Sequence, residues 1–350
     1  MSRTWRVAIA GLGHWYSAYN LARALREYPK AELVSVAWHD KAQLDAFTGT
    51  FGIKGYDTYD ELLERDWIDI VQIAAPVSEI HDLTIRCARA GKHIVLGKPM
   101  AMTLAEADQM VDAVEGADMA CVPFQGIMRL RFADLKARID KGTIGDVMLL
   151  HQTSRWSIAE DWHNSGTPGW FADPRRVPGG AFIDEGIYWV DLFRWLCASE
   201  LVQVEAKIAN LVHKDIAVED WGMATFTAAN GIIATLEASW TINAPRKTGP
   251  SPKQNAVVRL EVVGSRGEII EQWFRDPGTA VLAAGAAEWV FERKSAEPFA
   301  PSSPTPLAHL IDCVENNRRP AATIRDARTS FVAALAAYES AREGRPVRLS

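Results

Sequence analysis

Lys98 stands near the end of GKHIVLGKP (residues 91–99), where a charged turn leads into Ile94, Val95 and Leu96 and then into Gly97-Lys98-Pro99. The pattern predicts a short apolar strand that presents one ammonium group at its carboxyl end. In an open parallel sheet, ligands bind outside the carboxyl ends of the strands, so a cation there faces a cofactor or a substrate. Pro99 fixes its own φ and disfavours helix at Lys98, which stiffens the turn. Asp184, Tyr188 and Asp191 fall at i, i+4 and i+7, so a helix brings two carboxylates and a phenol onto one face. A phenol with a pKa of about 10 is a poor base at neutral pH unless a nearby cation favours its phenolate. Lys98 is a candidate for that cation.

Gly11-Leu12-Gly13 follows an apolar run directly and precedes an amphipathic one, the context of a dinucleotide fingerprint. Two glycines let the backbone turn tightly and approach a pyrophosphate, whose charge is stabilised by the free N–H groups at the helix N-terminus, and His14 and Trp15 between the turn and the helix join the cofactor contacts. The third fingerprint position is Tyr16 where glycine or alanine is usual, which predicts looser packing of that helix on its sheet. The second strand ends in Ala37-Trp38-His39-Asp40-Lys41, with Trp38 at the position of the acid that usually holds the ribose. The usual barrier to a 2′-phosphate is missing or displaced there, while His39 and Lys41 are placed to meet one. The reading is NAD(P), with a slight lean to NADP.

The elements that must position these groups alternate in period. Strands are predicted over 6–10, 32–38, 68–74, 93–96 and 119–122, with helices over 16–28, 41–51, 59–65, 80–90 and 104–114. Thr103 and Glu106 have capping-box spacing. The pattern is that of a doubly wound parallel sheet over 1–125. After residue 125 a helix over 131–141 leads to a strand over 147–155, a Trp-, Gly- and Pro-rich stretch over 157–180 and a helix over 181–196. Strands follow over 202–208, 225–226, 232–240, 257–263 and 268–274, with hairpin turns at Asn230-Gly231 and at 264–267. Helices over 307–316 and 326–342 end the chain, and residues 298–306 read as a loop. The second domain, 126–350, is therefore an α+β unit with a large, mostly antiparallel open sheet, whose last helix packs back on the first domain.

The chain has 350 residues, 48% of them apolar, with a net charge of −6, which fits two globular domains and excludes a general nucleic-acid binder. Cys87, Cys121, Cys197 and Cys313 show no paired spacing and read as buried thiols of a reducing compartment. The first residues pass directly into a strand and no apolar run reaches membrane-spanning length, so a cytoplasmic protein without a membrane partner is expected. The eight histidines have no metal spacing, and no metal is expected. Trp156, Trp162, His163 and Trp170 lie in or beside the long loop that precedes the 181–196 helix, where aromatic faces suit the apolar faces of sugar rings. An open amphipathic sheet also needs a cover, which predicts a homodimer or homotetramer.

Gly11-Leu12-Gly13, Ala74-Ala75-Pro76 with His81, GKHIVLGKP, GGAFIDEGIYWVD (179–191) and Glu219-Asp220 together resemble the Gfo/Idh/MocA oxidoreductases, the family of glucose-fructose oxidoreductase and inositol dehydrogenase, over nearly the whole chain. The resemblance implies a Rossmann NAD(P)-binding domain joined to an open-sheet domain. It also implies hydride transfer between a nicotinamide cofactor and a secondary hydroxyl or lactol of a sugar, inositol or related polyol. The family's Glu-Lys-Pro is Gly97-Lys98-Pro99 here, with the lysine kept and the glutamate absent. Its helix motif carries Tyr188 in place of the usual histidine. On this mapping Tyr188 transfers the proton, Lys98 is its electrostatic partner and substrate anchor, and Asp184 binds a hydroxyl. The resemblance adds Ala75, Pro76 and His81 to the cofactor contacts, although His81 read alone is a structural residue. Two other functions fit the pattern, a dinucleotide-sensing regulator without catalysis and an NAD-dependent glycosidase of the same fold.

Overall fold

The computed structural model describes residues 3–163, 165–241, 256–274, 277–294 and 305–349. These divide into two compact units, the first within 1–127, 160–178 and 300–328 and the second within 128–159, 179–299 and 329–350. Two segments that follow residue 126 in sequence thus belong with the first unit. Most of the loop expected at 298–306 lies outside the described residues.

In the first unit the strands β1 (Trp5–Ala10), β2 (Ala31–Ala37), β3 (Lys54–Tyr56), β4 (Ile70–Ile73), β5 (His93–Leu96) and β6 (Cys121–Pro123) form one parallel sheet in the order β3-β2-β1-β4-β5-β6. The helices between them are α1 (Trp15–Leu25), α2 (Lys41–Phe51), α3 (Tyr59–Leu63), α4 (Val77–Arg89) and α5 (Leu104–Gly116). Val7, Ala8, Ile9 and Ala10 are all inaccessible, as expected of a strand covered on both faces. Caps set the helix starts. Asp40 accepts from Gln43 N, Thr58 from Glu61 N and Thr103 from Glu106 N, while Glu106 reaches back to accept from Met102 N. β3 adds a strand to the sequence pattern, because Lys54-Gly55-Tyr56 is too short and too polar to show a period. α4 begins three residues earlier than its periodicity suggests, directly after Pro76.

The second unit is built on β7 (Val147–Arg155), β8 (Leu201–Ala209), β9 (Trp221–Ala228), β10 (Ile233–Ser239), β11 (Val257–Gly264), β12 (Glu268–Trp273), β13 (Gly278–Leu282), β14 (Val290–Arg293) and β15 (Val347–Arg348). The sheet order is β14-β13-β12-β11-β7-β10-β9-β8-β15, antiparallel throughout except where β10 runs parallel to β7. The helix predicted over 131–141 is two, α6 (Ile127–Arg131) and α7 (Ala133–Asp140), broken at Phe132. α8 (Ala181–Cys197) packs along one face of the sheet on β10, β9 and β7. α9 (Thr305–Glu315) belongs to the first unit, and α10 (Ile324–Glu343) begins there and continues into the second. β13, β14 and β15 also add to the predicted strands; their alternation is brief, and β15 is a two-residue edge on β8.

Candidate functional site

In the first unit the glycine turn is pressed against the β4–α4 corner. Gly11 has φ +94°, and a Cβ there would lie 2.6 Å from Ala75 Cα. A Cβ on Gly13 would lie 2.5 Å from Pro76 Cδ. His14 N donates to Ala74 O at 2.8 Å, which closes the corner. The glycines and Ala74-Ala75-Pro76 are therefore one packed unit at the carboxyl ends of β1 and β4. The Leu12 side chain is buried in the core, so this residue offers a ligand only its backbone.

The looser packing expected from Tyr16 does not occur. Ala18 and Ala22 face the sheet and are buried, and Gln72 Nε2 donates to Ser17 Oγ at 3.1 Å. Tyr16 turns away instead, 4.2 Å from the His14 ring and stacked on Phe171 at 6.0 Å. The small residues that the fingerprint usually supplies at its third position come later along α1.

Phe171 belongs to a strap, residues 160–178, that the long loop lays on this corner. Trp170 Nε1 donates to Gly13 O at 3.0 Å, and Trp15 Nε1 donates to Glu160 O at 3.0 Å. Ser78 N donates to Arg176 O at 3.1 Å, and Arg176 pairs with Glu79 at 2.9 Å. The His163 ring lies 3.7 Å from Trp15, and Trp162 meets Tyr19 edge-on at 6.1 Å. Trp162, His163 and Trp170, which residue type alone suggests as sugar-facing, thus have ring faces or N–H groups engaged by α1 and the glycine turn. No local signal marks this, because the partners are more than a hundred residues away.

His14 sits inside this aromatic group with both ring nitrogens buried and, among the described residues, no hydrogen-bond partner for either. Burial, reinforced by the charge of Lys98, lowers its pKa to about 3, so the imidazole is neutral at physiological pH. Lys98 is 6% exposed at the carboxyl end of β5, and its peptide bond to Pro99 is cis. A Cβ on Gly97 would lie 3.0 Å from both Ile73 O and Ile80 Cδ1, so β5 exits against β4 and α4 with little room for a side chain where the family motif carries glutamate. At the end of β2, Trp38 is buried and donates to Gln43 Oε1 at 2.7 Å, with the His39 ring 4.0 Å away. Asp40 caps α2, and Lys41 pairs with Asp45 at 2.8 Å and Asp57 at 3.8 Å. His81 Nε2 meets Gln109 Oε1 at 2.8 Å between α4 and α5.

In the second unit α8 carries Asp184 and Tyr188. Asp184 is 7% exposed in its first turn. Asp191, further along the helix, serves packing. Arg129 of α6 grips it with Nε and Nη2, both at 2.8 Å, and Ser330 Oγ donates to it at 3.2 Å. Arg131, two residues beyond Arg129, interacts electrostatically with Tyr188 and lies 5.9 Å over the Trp273 ring. Burial lowers its pKa to about 10, with Tyr188 opposing, so it remains a cation at neutral pH. Nothing in the sequence singles Arg131 out, since its relation to Tyr188 depends on how α6 docks on α8. Trp156 directly follows β7, with Nε1 donating to Ser154 Oγ at 2.9 Å and its ring edge-on to Phe274 at 5.6 Å.

Among the described residues no group of three His, Cys, Asp or Glu side chains is placed to hold a metal ion, and no helix is long and apolar enough to cross a membrane. Residues 5–123 match the family model described as an oxidoreductase family with an NAD-binding Rossmann fold. Residues 132–270 match the GFO/IDH/MocA C-terminal domain. The chain is 29% identical to scyllo-inositol 2-dehydrogenase (NAD(+)) of Bacillus subtilis, covering 98% of this chain and 96% of the relative. It is 30% identical to inositol 2-dehydrogenase of Rhizobium meliloti, over 75% of this chain and 74% of the relative. The fold is shared with an aldose-aldose oxidoreductase of Caulobacter crescentus, at TM-score 0.82 and 23% identity over 99% of this chain and 100% of the other. An oxidoreductase of Agrobacterium radiobacter solved with NAD+, L-tartaric acid and magnesium aligns at TM-score 0.81 and 21% identity, over 99% and 98%.

Proposed function

This chain belongs to the GFO/IDH/MocA oxidoreductase family, and from that membership we propose an NAD(P)-dependent dehydrogenase or reductase acting on a secondary hydroxyl of a sugar, inositol or related polyol. The observation that carries the reading is the presence together of Lys98, Asp184 and Tyr188 in a chain that is similar over almost its whole length to inositol dehydrogenases. The residues at the carboxyl edge of the parallel sheet suit a dinucleotide: the turn at Gly11 and Gly13, packed on Ala75 and Pro76, leads directly into the start of α1, and His14 holds two buried ring nitrogens beside it. The dinucleotide, when bound, supplies the hydride acceptor. Gly11, Leu12, Gly13, His14 and Trp15 form its turn, with Ala75 and Pro76 behind it.

Tyr188, as the phenolate, takes the proton of the reacting hydroxyl and becomes the neutral phenol. Lys98 anchors that oxygen and stabilises the negative charge that grows on it, and Arg131 adds a second cation on the Tyr188 side. Asp184 accepts from a neighbouring hydroxyl and fixes the ring of the substrate. Trp156, at the end of β7, supplies an aromatic face for that ring. The end of β2 weighs toward NAD. Lys41, one of the two residues that favour NADP on sequence, is engaged by Asp45 and Asp57, and Asp40 adds a carboxylate nearby. Four buried cysteines fit a reducing compartment such as the cytoplasm, and the open sheet of the second unit fits a homodimer or homotetramer.

The experiment is near-ultraviolet absorbance of reduced nicotinamide, with NAD and NADP in parallel, against aldoses, inositols, sugar acids and glycosides. Reduction with one class of substrate is the expected result. Sugar release without a net absorbance change would assign the glycosidase reading, and tight dinucleotide binding without turnover would assign a sensor.

A further inference from the structure

Every α-helix begins with N–H groups that have no partner inside the helix. In α8 they are answered from two distant parts of the chain. Glu219, just before β9, accepts from Gly180 N with Oε2 at 2.8 Å and Oε1 at 2.9 Å, and from Phe182 N at 3.0 Å. Its own carbonyl accepts from Ala181 N at 3.0 Å. Tyr338, on α10, accepts from Ile183 N at 3.2 Å and donates to Glu219 Oε1 at 2.7 Å. The first intrahelical bond is then Asp184 N to Gly180 O at 3.0 Å. The approach is so close that neither preceding residue can carry a side chain. A Cβ on Gly179 would lie 2.2 Å from Tyr338 Oη, and one on Gly180 would lie 2.0 Å from Glu219 O.

An acidic residue in a first turn ordinarily serves the helix dipole and the orphan donors. Here a buried carboxylate on another element fills that role, and Asp184 follows immediately in the same turn. We propose that Glu219 and Tyr338 are positioning residues for the reaction: they fix the first turn of α8 from outside the helix and thereby direct the Asp184 carboxylate toward substrate. This rests on the reading of Asp184 given above. The rest of α8 is held independently by its core side chains, Ile187, Trp189, Val190 and Phe193 among them, all at most 1% exposed, and by the Arg129–Asp191 pair. Loss of one hydroxyl at Tyr338 therefore leaves the helix in place and frees only its start. Glu219 is also the acceptor that keeps the first-turn donors from recruiting Asp184. When Glu219 loses its charge, Asp184 is the carboxylate of that turn left to replace it, and doing so draws it away from substrate.

The test compares Tyr338→Phe and Glu219→Gln in the wild-type chain and in Asp184→Glu, which keeps a carboxylate but displaces it by a methylene. With the substrate found in the absorbance panel, kcat is expected to fall about 5-fold for Tyr338→Phe and about 20-fold for Glu219→Gln. Both are smaller than the roughly 10²- to 10⁴-fold that general acid–base groups command, as suits residues that act through another. KM for the dinucleotide stays unchanged. In Asp184→Glu the same two changes are expected to cost less than about 2-fold, because residues acting through one group are not additive. Equal costs in both backgrounds, or wild-type kcat in both single variants, overturn the inference. Asp184→Asn is measured beside them, and wild-type turnover in that variant overturns the reading of Asp184 itself. Circular dichroism and dinucleotide affinity identify a variant that has failed to fold; if Glu219→Gln does so, the single hydroxyl removed in Tyr338→Phe decides.

Discussion

Lys98 is buried at a strand end, where its charge adds to burial in pushing the His14 imidazole toward its neutral form. In the proposed mechanism that charge is what Lys98 brings to the reacting oxygen. Lys98→Ala is expected to lower kcat by about 10²- to 10³-fold, the scale of removing one electrostatic stabiliser, and to leave dinucleotide affinity within about 3-fold. Normal turnover would remove the proposed mechanism. His14 gives a second prediction at this scale. Its folded pKa of about 3 lies below the ordinary value of 6.5, so between those values the unfolded chain binds the extra proton. Stability from this residue is fully present above pH 6.5 and is lost as the pH falls toward 3, at up to about 1.4 kcal/mol per pH unit. Thermal midpoints measured from about pH 8 down to about 4.5 should fall more steeply for the wild type than for His14→Phe, and parallel curves would show that the imidazole is protonated in the folded chain.

At the scale of elements, α8 is located by its start and its middle. Glu219 and Tyr338 hold the first turn, and Arg129 of α6 holds Asp191, whose side chain is inaccessible. Removing one member of a buried ion pair leaves the other charge unpaired, at a cost of about 3–5 kcal/mol. Asp191→Ala should therefore lower the stability read from urea unfolding by that amount without a change of slope, and the paired change with Arg129→Met should recover part of it. A loss below about 1 kcal/mol would mean that the pair is not a determinant of α8. The strap is the other element whose role is hidden in the sequence. Trp162, His163 and Trp170 read as sugar-facing on type alone, and in the fold Trp170, Trp15 and Arg176 hold the strap on the glycine turn and on α4.

For the molecule as a whole, the sheet of the second unit has one face packed by α8 and another that mixes apolar and polar groups. Ile233 is 39% and Met223 45% exposed there, beside the Arg155–Glu237 pair and the His151–Thr235 hydrogen bond. A face of this composition, too apolar to be left wet and too polar for a core, suits a symmetric interface. Light scattering at micromolar concentration should give a dimer or tetramer, and Ile233→Glu should shift it toward smaller species. A monomer for the wild type would set the proposal aside.

The sequence by itself determined what depends on neighbours in the chain. The alternation of apolar runs and amphipathic stretches specified the parallel sheet, the strand before Gly11 and the helix after it placed the dinucleotide turn, and the i, i+4 spacing put Asp184 and Tyr188 on one face. Thr103 and Glu106 announce a helix start correctly for the same reason, since a cap is a contact over three residues. What the tertiary structure alone decided depends on residues far apart. Gly11 and Gly13 are glycines because Ala75 and Pro76 press on them. Tyr16 is tolerated because Ala18 and Ala22 face the sheet and Phe171 offers its ring a partner. Arg131 meets Tyr188, and Glu219 and Tyr338 meet the start of α8, across separations that no local period records. Local propensity and spacing act within a few residues, whereas close packing and buried charge act through space, so the elements are legible in the sequence and the contacts between distant ones are not.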